Sequence, residues 1–405
     1  MRVRDSRPPF AGLANLSEEQ LHRLPTPCYL LDEAQLRRNG EILLGVQQRT
    51  GCRILLAQKA FSNFNVYPVL APYLAGTEAS GLYESRLGRE ELPEKENHVF
   101  CAAYRADEFE ELLQYADHIV FNSPSQLAKF GPAAKAAGKS VGLRINPECS
   151  TQDGHAIYDP CAPGSRLGTT RAQWNAAVAA NPALPNLLDG LHFHTLCEQD
   201  SDALATTLDA VAQKFGDLLP RMQWLNFGGG HHITRPGYDI AMLERCIIRA
   251  QQDWGVTVYL EPGEACALNA GFLLSRVLDV VQNGDTTIAI LDASATSAAC
   301  HMPDVLEMPY RPPLFAAAEP GEKPCTVRLA GPTCLAGDVI GDYGVDAVPN
   351  VGDLLVFGDM AIYTTCKNNT FNGMPLPGIY ARKPDGTTRK IVTFGYTDFK
   401  CRLGK

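Results

Sequence analysis

The stretch HVFCAAYRADEFEELLQYADHIVFNSPSQLAKFGPAAKAAGKSVGLRIN at 98–146 decides the fold. Short β-rich segments, the first at 98–102 and the last at 141–146, alternate there with helical patterns at 106–116 and 123–138. Strands that alternate with helices lie parallel in one sheet, because each helix returns the chain to the edge where the strands begin. This stretch therefore predicts consecutive βαβ units.

The same alternation extends on both sides of this stretch, from about residue 53 to residue 261. The candidate strands are 53–58, 76–80, 98–102, 118–122, 141–146, 189–194, 223–227 and 256–261. Eight parallel βα units over this length predict a closed (β/α)8 barrel of the TIM type. An open, doubly wound sheet is the alternative that the pattern leaves open.

The pattern of apolar and polar residues changes after residue 272. Segments such as TTIAILDAS and DLLVFG alternate apolar and polar residues between Gly and Pro turns, which is typical of antiparallel strands. The early segment TPCYLLD at 26–32 is also strand-like. We therefore predict a barrel domain over 36–271 and an antiparallel β-sandwich or β-barrel domain over 272–405, to which residues 1–35 contribute a strand.

The composition of this chain of 405 residues excludes several classes of function. A formal net charge of −9 without a basic stripe argues against nucleic-acid binding and suits a cationic small molecule. No run approaches the roughly 18 apolar residues of a membrane span, and MRVRDSRPPF does not read as a secretory signal. The 13 cysteines form no CxxC pair, which favours reduced thiols. We expect a cytoplasmic protein with neither a membrane nor a nucleic-acid partner.

Several residues that carry chemistry follow the predicted strands, where the active sites of such barrels lie. These residues are Lys59, Ser80, His194, Gly228, Gly229, Gly230 and Glu261. A desolvated lysine amine can form a Schiff base with an aldehyde, and the bare amides of a glycine turn suit a phosphate monoester. A carboxylate suits a protonated ring nitrogen, and an imidazole can stack on a flat ring.

Each of these residues alone also has a purely structural interpretation: an ion pair, a plain turn or a packed histidine, the last favoured for His192. Their combination is more specific. An amine, a phosphate turn, a stacking ring and a carboxylate together describe a site for pyridoxal 5'-phosphate, with no metal ion.

Longer strings extend this interpretation to a family. From TPCYLLD at 26–32 to TTCKNNTFNG at 364–373, the chain resembles the alanine-racemase-fold (fold type III) pyridoxal phosphate enzymes. Within that group it is similar to the carboxynorspermidine (carboxyspermidine) decarboxylases, on the strings YDPCAPGSRLG, HFHTLCE, EPGEA, HMPDVLEMPYRPP and CKNNTFNG. The resemblance implies a carboxy-lyase that converts carboxynorspermidine or carboxyspermidine to norspermidine or spermidine in polyamine biosynthesis.

The resemblance also implies roles for individual residues. Lys59 would bind the cofactor aldehyde, His194 would stack on its ring, and Glu261 would pair with the ring nitrogen. The string GPTCLAGD at 331–338 looks like a motif that reaches the neighbouring subunit's site, which makes Cys334 the expected proton donor of a homodimer with shared active sites. Tyr363 looks like a tyrosine that contacts the phosphate.

The substrate is expected to carry amines along its chain. Diaminopimelate and ornithine decarboxylases typically have Arg after EPG, whereas this sequence has Glu264. The resemblance therefore suggests Glu264, Asp292 and Asp304 as residues that bind those amines. Ordinary surface or inter-domain ion pairs are the alternative for each of them.

Other functions stay open at the level of the sequence. Diaminopimelate or another basic amino acid is the nearest alternative substrate. A metal-dependent barrel hydrolase would use His192 and His194 as ligands, with His231 or Asp292 nearby. A non-catalytic homologue that regulates polyamine metabolism is a third alternative, against which the presence of both Lys59 and Cys334 argues.

Overall fold

The structure is a computed structural model that describes residues 8–152, 158–295 and 311–404. The chain divides into two compact units. One unit, called here the barrel unit, spans Asn39–Cys266. The other, called the sheet unit, combines Met1–Arg38 with Ala267–Lys405.

Eight parallel strands close into a barrel in the barrel unit. They are numbered β2 to β9, since β1 belongs to the sheet unit: β2 (Arg53–Ala57), β3 (Gly76–Ala79), β4 (Glu96–Phe100), β5 (His118–Phe121), β6 (Ser140–Arg144), β7 (Gly190–His192), β8 (Trp224–Asn226) and β9 (Thr257–Leu260). β9 pairs with β2, with Arg53 opposite Tyr259. The predicted (β/α)8 barrel is confirmed, and this closure rules out the open sheet.

Helices alternate with the barrel strands. They are α2 (Glu33–Thr50), α3 (Tyr67–Leu70), α4 (Leu82–Glu91), α5 (Phe109–Tyr115), α6 (Pro124–Ala136), α7 (Arg171–Ala180), α8 (Ser201–Phe215), α9 (Ile240–Trp254) and α10 (Glu264–Ala267). Local signals set their ends. The Asp239 side chain accepts a hydrogen bond from the N–H of Met242 at the start of α9. Gly255, with a left-handed φ of 70°, ends that helix.

Small residues make room for one large ring inside the barrel. The Trp224 ring lies against Gly142 and Gly190, and its Nε1–H donates to Oγ of Ser140 at 2.9 Å. A Cβ atom at Gly190 would lie 2.0 Å from the indole, and one at Gly142 would lie 2.3 Å from it. Any side chain at these two positions would therefore overlap the tryptophan.

The sheet unit contains one mixed sheet. Its strands are β1 (Cys28–Asp32), β10 (Gly271–Asn283), β11 (Thr286–Leu291), β12 (Cys325–Ala330), β13 (Val339–Val345), β14 (Leu354–Phe357), β15 (Gly378–Arg382) and β16 (Thr388–Val392). The order is β13-β12-β11-β10-β1-β15-β16, and β14 pairs with β10. β1, from near the start of the chain, therefore lies inside this sheet.

The sheet differs from the prediction in one respect: it is not purely antiparallel. β1 pairs with β15 in parallel, and so do β11 and β12. Parallel neighbours need a long connection, and both pairs have one. Strands β1 and β15 come from opposite ends of the chain, while residues 292–324 separate β11 from β12. The alternating pattern predicts strands but does not distinguish these two directions.

The N-terminal segment packs on the sheet. Phe10, Leu13 and Leu21 share a core with strand residues such as Leu30 and Phe272. The helices of this unit are short: α1 (Glu18–His22), α11 (Thr364–Lys367) and α12 (Tyr396–Cys401). Over the described ranges of both units, none of the helices has the length and apolar character needed to cross a membrane.

We predict that Gly190→Ala destabilises the protein. The new methyl group would overlap the Trp224 ring, and overpacking of this kind costs about 1–3 kcal/mol. Thermal unfolding followed by circular dichroism measures the loss. Gly45→Ala is the control, because a Cβ atom there meets only the flexible end of Arg49 and alanine favours the helix. Equal melting temperatures for G190A and wild type would contradict the packing described here.

Candidate active site

The carboxyl ends of β2 to β9 meet at one end of the barrel, which we call the barrel mouth. Lys59 follows β2 by two residues, and Ser80 directly follows β3. His194 follows β7, and Glu261 directly follows β9. The glycine turn, defined as Gly228, Gly229 and Gly230, comes after β8. Because the strands are parallel and the barrel is closed, all these residues lie at the barrel mouth.

A buried glutamate lies beside the predicted lysine. Nζ of Lys59 is 3.4 Å from Oε2 of Glu78, which is on β3. The Lys59 side chain is 34% exposed, so its amine is accessible, whereas that of Glu78 is 2% exposed. Burial raises the pKa of Glu78 to about 8, although the charge of Lys59 opposes this rise. Glu78 is not among the residues predicted from the sequence; an acidic residue inside the predicted strand 76–80 was the available signal.

Glu261 has two hydrogen-bond partners and is fully buried. Its Oε2 lies 3.0 Å from Nε2 of His192, and its Oε1 accepts a hydrogen bond from Nδ2 of Asn226 at 2.6 Å. Burial opposes ionisation of Glu261, but His192 and Lys59 outweigh it and lower its pKa to about 2. Burial lowers the pKa of His192, and Glu261 opposes this fall. The Nε2–H of His192 donates to the Glu261 carboxylate, so the two side chains form a tightly coupled buried pair.

The glycine turn is packed so closely that it admits no side chain. A Cβ atom at Gly229 would lie 2.6 Å from the carbonyl oxygen of Glu261, and one at Gly230 would lie 2.0 Å from that of Leu196. Gly228 and Gly230 have left-handed φ angles of 69° and 82°. The turn thus brings bare backbone to the barrel mouth, as a phosphate site requires.

His194 lies against this turn. Its Nδ1 accepts a hydrogen bond from the N–H of Gly229 at 3.3 Å, and its carbonyl oxygen accepts one from the Arg144 guanidinium at 3.0 Å. Burial, followed by the charge of Lys59, holds the pKa of His194 well below its usual value. A neutral imidazole in this position suits stacking on a flat ring. Arg144, which also covers the Phe100 ring at 4.6 Å, is a second residue that the sequence analysis did not identify.

These residues fit pyridoxal 5'-phosphate. The Lys59 amine is accessible, the glycine turn has no room for side chains, and Glu261 is ionised inside the protein. Each carboxylate oxygen of Glu261 keeps a second lone pair beyond its bond to His192 or Asn226. The alternative of a metal site at His192 and His194 finds no support among the described residues, because neither histidine belongs to a group of three His, Cys, Asp or Glu side chains whose ligand atoms converge.

Two other predicted residues of the barrel unit, Ser80 and Glu264, contact neighbouring residues of that unit. Ser80 is exposed, and its N–H donates to Oε2 of Glu84 at 2.6 Å, while its carbonyl oxygen accepts from the Cys101 thiol at 2.8 Å. Glu264 begins α10, where its Oε2 is 3.4 Å from Nε2 of His232. The roles of Ser80 and Glu264 stay predictions.

The remaining predicted residues belong to the sheet unit. Cys334 is exposed, and its thiol donates to Oδ1 of Asn372 at 2.9 Å. Tyr363 has a left-handed φ of 58°, a strained conformation that is frequent at functional sites. Oδ1 of Asp292 accepts hydrogen bonds from Oγ of Ser275 at 2.6 Å and from the N–H of Arg276 at 2.9 Å, so it is held by its own sheet. Asp304 lies outside the described residues.

Comparisons with known proteins give a consistent result. Residues 28–361 match the family described as pyridoxal-dependent decarboxylase, C-terminal sheet domain. The chain is 42% identical over 390 residues to a carboxyaminopropylagmatine decarboxylase from Synechocystis, covering 96% of this chain and 98% of the relative. It is 39% identical over 391 residues to a carboxynorspermidine/carboxyspermidine decarboxylase from Campylobacter jejuni, covering 94% and 99%.

Solved structures give the same relationship. The chain is similar to the crystal structure of a carboxynorspermidine decarboxylase from Campylobacter jejuni complexed with norspermidine. The TM-score is 0.84 at 38% identity, and the match covers 94% of this chain and 100% of the other. The similarity thus extends through both units.

We predict a pH-dependent stability effect at Glu78. Its pKa rises from about 4.3 in an unfolded chain to about 8 in the folded protein. The stability contributed by its protonated form is therefore present below pH 4.3 and is lost as the pH rises through about 8. Glu78→Gln removes this loss. In cofactor-free protein, the melting temperature of E78Q should approach that of wild type at low pH and exceed it increasingly toward pH 8.

Glu148→Gln is the control for this measurement. Glu148 is an exposed carboxylate paired with Lys214 at 3.1 Å, so its removal has no comparable pH dependence. If the difference between E78Q and wild type were the same at all pH values, the buried carboxylate would not have the raised pKa described above.

Proposed function

The chain belongs to the pyridoxal-dependent decarboxylases, and on that premise we propose that it decarboxylates carboxynorspermidine and carboxyspermidine. The products would be norspermidine and spermidine, which places the reaction in polyamine biosynthesis. The observation that carries the proposal is the buried Glu261 carboxylate, hydrogen-bonded to His192 and Asn226, at the same barrel mouth as the accessible amine of Lys59.

Each residue of the barrel mouth would bind a different part of the cofactor. When bound, pyridoxal phosphate supplies an aldehyde that condenses with amines and a ring that withdraws electrons from the bond to the departing carboxylate. Lys59 would hold the aldehyde, and the glycine turn would hold the phosphate. His194 would lie on the face of the ring, with Ser80 and Tyr363 as further contacts. Glu261 would keep a proton on the ring nitrogen, which strengthens electron withdrawal.

The substrate assignment draws on the relatives and on Glu264. Among the relatives, two names, carboxynorspermidine/carboxyspermidine decarboxylase and carboxyaminopropylagmatine decarboxylase, refer to carboxylated polyamine derivatives. Glu264 stands where relatives specific for amino acids typically have a cation, and this exchange favours a substrate with amines. Asp292 and Asp304 are further proposed contacts of the substrate. Carboxyaminopropylagmatine is the second candidate, favoured by the 42% identity to the Synechocystis enzyme.

We further propose a homodimer with shared active sites. Lys59 belongs to the barrel unit and Cys334 to the sheet unit. Under this proposal Cys334 of one subunit delivers the proton that replaces the carboxylate in the partner's site. Its exposed thiol and the hydrogen bond to Asn372 support this role, because Asn372 orients the sulfur at the surface. A thiol that returns a proton to carbon must be accessible to the reacting atom.

Turnover tests the proposed reaction directly. We expect purified, cofactor-loaded protein to release CO2 from carboxynorspermidine and carboxyspermidine, and much less from diaminopimelate. Lys59→Ala should lower this rate by roughly 10³-fold or more and should abolish the visible absorption band of the bound cofactor. Parallel kinetics with carboxyaminopropylagmatine would decide between the two candidates by kcat/KM. No CO2 from any of these polyamine derivatives would refute the assignment.

Mixing two inactive variants tests the shared site. Lys59→Ala and Cys334→Ala should each be impaired alone, whereas random mixing of unfolded and refolded subunits should recover about one quarter of wild-type activity. Half of the dimers would be mixed, and one of the two sites in each mixed dimer would have both residues intact. Recovery no greater than the sum of the two variants would show that each subunit builds its own site.

A further inference from the structure

A closed ring of three hydrogen bonds joins the glycine turn to Glu261. The N–H of Glu261 donates to the carbonyl oxygen of Gly228 at 2.8 Å. The N–H of Gly228 donates to Oδ1 of Asn226 at 2.8 Å. Nδ2 of Asn226 donates to Oε1 of Glu261 at 2.6 Å, which closes the ring. A single side chain, that of Asn226, therefore links the main chain of the turn to the carboxylate of Glu261.

Asn226 itself is held firmly by the barrel. It is the last residue of β8 and lies opposite His192 on β7 and Tyr259 on β9. Its carbonyl oxygen accepts a hydrogen bond from the N–H of Phe193 at 2.9 Å, and the residue is 0% exposed. Because alternate side chains of a strand share a face, Asn226 lies on the same inner face as Trp224. A planar amide buried on a paired strand has little freedom, so it can position the group that it bonds.

The hydrogen bond from Gly228 decides which way the amide of Asn226 points. A main-chain N–H can only donate, so the amide oxygen must face it. The amide nitrogen then faces Glu261, and since this nitrogen has only donors, Oε1 of Glu261 must accept. The other carboxylate oxygen, Oε2, lies 3.0 Å from Nε2 of His192. The ring thus assigns one oxygen of Glu261 to each partner and favours the ionised carboxylate.

The residue type at position 226 matches both bonds. An aspartate would accept from Gly228 but would place a second carboxylate within 2.6 Å of Glu261, where two like charges do not coexist. A serine has a single hydroxyl on a shorter side chain and could satisfy one partner only. A side chain that merely closed the turn would need an acceptor and no donor. The donor bond to Glu261 is therefore the feature that a purely structural role leaves unexplained.

The proposed function assigns Glu261 to the ring nitrogen of the cofactor and the glycine turn to its phosphate, and the inference rests on that assignment. We propose that Asn226 is a positioning residue that holds Glu261 ionised and directed at the ring nitrogen, in fixed register with the turn that holds the phosphate. Asn226 acts through Glu261. Because the two cofactor groups belong to one molecule, a shared support for their partners organises the site before the cofactor binds.

Nitrogen NMR of bound pyridoxal phosphate that carries an isotopic label in its ring tests the proposal. The chemical shift distinguishes a protonated from an unprotonated ring nitrogen. We expect a protonated nitrogen in wild type and a shift toward the unprotonated form in Asn226→Ala, because Glu261 loses a donor that stabilises its charge and so competes for the proton. The affinity of cofactor-free N226A for pyridoxal phosphate should fall by about ten-fold or more. Asn226→Ser should give smaller changes of both kinds and keeps the test available if N226A does not fold.

Asn97→Ala is the matched control. Asn97 is also a buried amide on a barrel strand, and its Nδ2 donates to the carbonyl oxygen of Ser85 at 2.6 Å. It is the second residue of β4, so it lies toward the end of the barrel opposite the barrel mouth. N97A should lower the melting temperature but leave the NMR signal unchanged and the cofactor affinity within about two-fold. If N226A behaved in the same way as N97A, Asn226 would have a structural role only and the proposal would be overturned.

A double-mutant cycle shows whether Asn226 acts through Glu261. In protein that carries Glu261→Ala, the amide has no carboxylate to position. N226A should therefore weaken the affinity for pyridoxal phosphate less in this background than in wild type. Full additivity of the two losses would show that Asn226 acts independently of Glu261, contrary to the proposal.

These measurements are independent of turnover. If wild type releases CO2 from carboxynorspermidine but N226A leaves the NMR signal and the cofactor affinity unchanged, the positioning role fails and the proposed function stands. If no carboxylated polyamine is decarboxylated but N226A alters both the signal and the affinity, the positioning role stands and the proposed reaction fails.

Discussion

The barrel mouth depends on one buried carboxylate that stays ionised. Removing a carboxylate from water costs several kcal/mol unless hydrogen bonds and nearby positive charge compensate. Glu261 has both: His192 and Asn226 bond to its two oxygens, and Lys59 contributes positive charge. The consecutive parallel pairs place the ends of β7, β8 and β9 side by side, which brings His192 and Asn226 to Glu261. Closure of the barrel between β9 and β2 then brings Lys59, which follows β2, to the same end.

A second buried carboxylate has the opposite protonation behaviour. Burial raises the pKa of Glu78, whereas the pKa of Glu261 is lowered. Lys59 acts on both groups, but the hydrogen bonds of His192 and Asn226 reach only Glu261. Neighbouring acids whose pKa values are pushed apart generally have different roles. Glu261 is suited to hold a proton on a bound ring, and Glu78 is suited to adjust the charge next to the Lys59 amine.

The sequence predicted the barrel because its hydrophobic pattern repeats eight times. It also named Lys59, His194 and Glu261 from a single geometric rule, the position at the end of a strand. That rule could not identify Glu78 or Asn226, because both lie within strands, where a polar residue has its partner on a neighbouring strand. Partners such as Asn226 and Glu261, 35 residues apart, meet only when the register of the barrel is known. The parallel pairs of the sheet unit were not predicted for a similar reason. The alternation of apolar and polar residues indicates which face of a strand is buried, but it does not indicate whether neighbouring strands run parallel or antiparallel.

Under the proposed function, charge at the rim of the barrel mouth would separate related substrates. Glu264 in place of an arginine alters the local charge by two units. A distal ammonium would gain from this carboxylate, whereas the distal carboxylate of diaminopimelate would meet a like charge. Such repulsion contributes to specificity independently of any attractive contact. Discrimination between substrates by the sign of the distal group therefore needs only this side chain. Chain length, which changes no charge, would be sensed weakly, since one methylene group contributes only about 1–3 kcal/mol.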